Sequence, residues 1–88
     1  MRNKDFIKEW CNNPSMEGHC GNLWSCYYKL YSYSTCICQY CEGTFHFNVT
    51  KYSSTTSRHQ HYLEHYLDYY NRNVVLVNNI ERNKSKLV

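Results

Sequence analysis

Between residues 27 and 33 the chain alternates two sets of side chains, Tyr27, Lys29, Tyr31 and Tyr33 against Tyr28, Leu30 and Ser32. A period of two marks a strand, because successive side chains leave opposite faces of a sheet. Phe45-His46-Phe47-Asn48-Val49 alternates again, and Gly43 supplies a turn between the two runs. Together they predict a small antiparallel aromatic hairpin of two or three strands. The period then changes. Tyr62, Leu63, Tyr66, Leu67 and Tyr70 recur at i, i+3 and i+4, which predicts an amphipathic C-terminal helix with these residues as its apolar, binding face. Ser57 and Gln60 have capping-box spacing and set the helix start at Ser57. The helix either stops near Asn71–Asn73 or runs on through Val74–Val77, a β-branched run between asparagines that leaves its end open. Residues 10–22 hold the only proline and two of the three glycines, and read as loop. The resulting division is a polar segment over 1–9, a cysteine-rich module over 10–52, a helical segment over 53–81 and a basic tail over 82–88.

Size brings the cysteines into the argument. A domain of 88 residues buries only about 60–65% of its unfolded surface, and such small cores usually need a metal, disulfides or a partner. Six cysteines are available. Cys38 and Cys41 stand at C-x2-C spacing with Gly43 two residues beyond, as in knuckles that aim two thiolates from one tight turn at a zinc ion. Zinc is the expected cofactor, with Cys38 and Cys41 as one ligand pair and Cys20 and Cys26 as the other. Cys36, His46 and Cys11 are alternates. Three disulfides, or buried thiols with no such role, stay open as readings of the same residues. The opening residues are charged and lack the apolar stretch of a signal peptide, so an intracellular location, cytoplasmic or nuclear, is expected rather than secretion. His61 and His65 share one helical face, which suits zinc but suits solvent better. No apolar run approaches the ~18–20 residues of a membrane span.

The net charge of +3 is spread along the chain and permits nucleic-acid binding without requiring it. Ten tyrosines, three phenylalanines and two tryptophans suit either a tyrosine-rich core or a surface kept for a protein partner. Cys11, Cys20 and Cys26, spaced C-x8-C-x5-C, resemble the first three ligands of CCCH zinc fingers that bind single-stranded RNA. The histidine that completes those fingers is Leu30 here.

Four segments carry a second resemblance. Phe47-Asn48-Val49-Thr50-Lys51-Tyr52, the helical run from Tyr62 to Arg72, Gly18-His19-Cys20-Gly21-Asn22-Leu23 and Cys38-Gln39-Tyr40-Cys41-Glu42-Gly43 resemble the last zinc module and following helix of the Ariadne branch of RING-between-RING E3 ubiquitin ligases. The resemblance spans residues 10–73 with gaps. It implies that Cys20 holds the place of the thiol that accepts ubiquitin, while Cys26, Cys38, Cys41 and His46 hold zinc. Val49 stands where the family has a terminal cysteine, and no first RING precedes residue 10.

The sequence thus predicts a small α+β zinc module, an aromatic hairpin with a cysteine knuckle followed by an amphipathic helix. Its expected function is zinc-dependent protein interaction, with a ubiquitin-pathway component as the implied partner and no independent ligase activity. A CCCH-like finger for single-stranded RNA is the alternative.

Overall fold

Four two-residue turns fold residues 18–48 into a meander. In the computed structural model, which describes residues 2–81, 84 and 87, the strands are β1 (Gly18–Cys20), β2 (Leu23–Cys26), β3 (Lys29–Ser32), β4 (Thr35–Cys41) and β5 (Thr44–Asn48). The first residue of every turn, Gly21, Tyr27, Tyr33 and Glu42, has positive φ. That geometry matches the right-handed twist of the strands it joins, so each strand pairs antiparallel with the next. Glu42-Gly43, with φ of 50° and 80°, is one of these hairpin turns. Cys38 and Cys41 therefore lie within β4, not on a turn. This corrects the predicted knuckle: the turn begins one residue after its second cysteine.

The second layer is made by two helices, one before the meander in sequence and one after it. Helix α1 (Asn3–Asn12) buries Phe6, Ile7, Trp10 and Cys11, an i, i+1, i+4, i+5 face hidden in the segments read as polar start and loop. Helix α2 (Ser54–Tyr69) begins three residues before Ser57, because the extended Ser53 is the cap and its hydroxyl accepts from the Thr56 N–H at 3.2 Å. At its far end Asn71 takes a left-handed φ of 52°, and the Arg72 N–H closes onto the Leu67 carbonyl at 3.0 Å. The chain then leaves as a strand, β6 (Val74–Val77), parallel to β5. Among the described residues the sheet has six strands in sequence order, with β1 and β6 at its edges.

Both helices cover one face of this sheet. The core there joins Phe6, Ile7 and Trp10 to Leu23, Leu30, Ile37, Cys38, Phe45 and Phe47, and to Leu63, Tyr66 and Leu67 of α2. A bulge in β4 decides which residues enter it. Leu30 pairs with Cys38 and Tyr31 with Cys36, so Ile37 is the extra residue. Ile37 and Cys38 both reach the helix side, and Cys36 returns to the other. The second face carries a smaller cluster of Tyr31 and Cys36 with Trp24, Cys26, Val77 and Ile80 around it. Trp24 stacks on Tyr31 at 3.9 Å and 5°. The predicted basic tail falls largely outside the described residues, but Leu87 is buried in this cluster and its N–H donates to Gln39 Oε1 at 2.9 Å.

Candidate functional site

The strand period separates the cysteines expected to share a metal. Cys38 lies fully buried among aliphatic and aromatic side chains on the helix side, whereas Cys41, three residues on, leaves the opposite face. Cys20 packs at the margin of the helix-side core, and its thiol donates to Asn3 Oδ1 at 3.5 Å. Cys26 and Cys36 belong to the cluster on the second face, and Cys11 to the main core. His46 is half-buried opposite Gln39. His61 and His65 are exposed on α2. Among the described residues no three His, Cys, Asp or Glu side chains gather as a metal would require. Cys20 and Cys38 lie on the helix side of the sheet and Cys26 and Cys41 on the other, so the four do not converge on a single tetrahedral site in this arrangement. Burial also pushes the Cys11 thiol up to about 12, eased slightly by Arg72. It pushes Cys36 up to about 11 and Cys38 well above the usual thiol value. These thiols behave as small apolar fillers.

A polar network that sequence reasoning missed ties the layers together. His59 of α2 is 1% exposed, with Nδ1 2.7 Å from Ser32 Oγ and Nε2 3.2 Å from Asn3 Nδ2. The Asn3 amide donates to Nε2, so the imidazole carries its proton on Nδ1 and donates to Ser32. Ser32 in turn shares a hydrogen bond with Thr56 at 3.1 Å. The arrangement contains Ser, His and Asn but cannot work as a nucleophilic triad. Ser32 has no exposed surface, so its hydroxyl cannot meet a substrate. Nor does Cys20 have an activating neighbour in His19, which points to the other face of the three-residue β1. The buried face of α2 is polar over its first half, at Thr56, His59 and Gln60, and apolar only from Leu63 onward.

The expected binding stripe also has a different use. Leu63, Tyr66 and Leu67 are buried against the sheet, and Tyr62 and Tyr70 pack beside them. What stays open lies next door, at the corner of α2 and β6. Val74, Val75 and Leu76 are 36%, 47% and 66% exposed. Among the described residues the strand that bears them has a neighbour on one side only. Its inner edge is known from two bonds, Phe45 N–H to the Asn73 carbonyl and Val49 N–H to the Val77 carbonyl, each 2.8 Å. By the alternation of a strand, Val74 and Leu76 turn their N–H and C=O groups outward. A cavity of about 480 Å³ adjoins this edge on the helix side, lined by Phe47, Leu67, Val74 and Leu76 and by the charged side chains of Glu64, Asp68 and Arg72.

A family model matches residues 4–79. The chain belongs to DUF8033, a family of unknown function. No curated protein and no solved structure matches it. The match extends from the second residue of α1 to just past β6, so the DUF8033 unit includes both helices, the whole sheet and the open corner. Among the described residues of this DUF8033 chain no helix is long and apolar enough to cross a membrane.

Proposed function

We propose that the protein is a protein-interaction module whose β6 edge accepts an extended, uncharged segment with apolar side chains on both faces. The observation that supports this is the edge strand itself. Sheet proteins normally blunt an exposed edge with lysine, proline, a bulge or a covering element. Here residues 73–80 read Asn-Val-Val-Leu-Val-Asn-Asn-Ile, without charge or proline. Strand addition would satisfy the outward backbone groups of Val74 and Leu76, while the apolar rows on the two faces select the incoming side chains. The reading needs no zinc and gives Cys20 no chemical step.

The test is selection of binding peptides from a random displayed library, followed by amide mapping of the complex. Expected are extended peptides with an apolar run, shifts centred on Val74 and Leu76, and loss of binding in Leu76→Lys. Peptides that instead shift Trp24 and Tyr31, or bind Leu76→Lys equally well, would overturn the proposal.

A further inference from the structure

The chemistry that the β6 edge selects is also the chemistry of β6. We infer that its occupant is the β6 strand of a second copy of this chain, giving a symmetric dimer with one continuous sheet; this rests on strand addition at β6 being the function. The pairing geometry supports self-recognition in detail. Antiparallel partners must share a face of the sheet, so a two-fold pairing requires residue numbers whose sum is even. With the dyad at Val75, Val74 lies opposite Leu76 of the second copy on the helix side, and Val75 lies opposite its own counterpart on the other face. Val74 and Leu76 are also the residues whose N–H and C=O groups point outward, given the inward carbonyls of Asn73 and Val77. One register therefore satisfies the outward N–H and C=O of both residues in both copies while covering the exposed row on each face. Within the paired strands no like charges meet, because residues 73–80 carry none.

The strand is short. Four residues on each side bury well under the ~1,200 Å² of a stable standard interface, so the dimer should be weak and its population should follow concentration. The experiment is sedimentation equilibrium of the full chain from about 10 μM to about 1 mM, with amide hydrogen exchange at both ends of that range. Expected is a rise in mass from 10.7 kDa toward twice that value. Val74 and Leu76 amides should gain at least fivefold protection at high concentration, with no change at Val75, whose groups already face β5. Leu76→Pro removes the outward N–H at an edge position where proline is tolerated, and Leu76→Lys adds like charge across the dyad. Both should stay monomeric while unfolding as cooperatively as the parent at low concentration. A chain that remains monomeric at about 1 mM overturns the inference, as does a dimer that survives both substitutions. A monomeric chain that still binds selected peptides at Val74 and Leu76 overturns self-association alone and leaves strand addition standing.

Discussion

His59 Nδ1 lies 2.7 Å from the Ser32 hydroxyl, across 27 residues of sequence and between the second helix and the third strand. The bond requires a neutral ring, because Nε2 must accept from Asn3. Desolvation, with a smaller contribution from Arg58, lowers the His59 pKa from its ordinary 6.5. Above about pH 6.5 the ring is neutral in both folded and unfolded chains, and the network contributes fully. Below it the unfolded chain takes up a proton that the folded chain refuses, so stability falls until the pH passes the folded pKa. Chemical denaturation of the parent and of His59→Gln at pH 7.5, 6 and 5 checks this. The difference in stability between them should narrow on acidification, and a constant difference would show that His59 is not the group responsible.

The stripe on α2 carries a second expectation. Leu63 and Leu67 are 0% and 2% exposed and pack against the sheet, so each truncation to alanine should cost about 2–4 kcal/mol. Tyr69 is 68% exposed on the other side of the helix, and Tyr69→Ala should change stability by less than about 0.5 kcal/mol. Urea denaturation of the three variants separates a buried stripe from a solvent-facing one.

Those leucines also show what was legible beforehand. A period of 3.6 over Tyr62, Leu63, Tyr66 and Leu67 survives any tertiary context, so the helix and its apolar face could be read directly. The aromatic alternation around Tyr31 and Phe47 revealed two strands for the same reason. The strands between and beside them were obscured by turn chemistry. Tyr27-Tyr28 and Tyr33-Ser34 are hairpin turns built without the usual glycine or asparagine, and they looked like continuous strand. The C-x2-C spacing misled because its meaning depends on a turn. Placed in β4, with Ile37 bulged, the same residues feed two separate clusters. The edge position of Val74–Val77 was not readable at all, since the run alone fits a helix, an inner strand or an edge.

The thiols give a direct contrast. If Cys38 and Cys41 ligated one zinc ion, serine at either position would cost a similar amount and a chelator would reproduce the effect. The fold instead puts Cys38 wholly inside the core and leaves Cys41 partly open. Cys38→Ser should therefore cost about 1–3 kcal/mol by burying a hydroxyl among Leu30 and Phe47, whereas Cys41→Ser should fall within about 0.5 kcal/mol of the parent. Thermal unfolding with and without a chelator, beside native mass spectrometry, provides the readout. One zinc per chain together with equal losses would overturn this assignment.

The turn between β2 and β3 holds Tyr27 and Tyr28 at φ of 50° and 64°, a left-handed conformation that crowds any side chain with a Cβ. Tyr27 is 78% exposed and gains little in return, while Tyr28 has the Tyr40 ring 6.1 Å away. Asn-Gly is the pair best suited to a turn with both residues left-handed. Replacing Tyr27-Tyr28 by Asn-Gly should raise stability by about 1 kcal/mol, the relief of strain exceeding the lost ring contact and the added freedom of glycine in the unfolded chain. Equilibrium urea unfolding measures the sum. A variant less stable than the parent would mean that the Tyr28–Tyr40 contact outweighs the backbone strain. The single substitution Tyr27→Asn separates the two contributions, because it relieves one strained position and leaves Tyr28 against Tyr40.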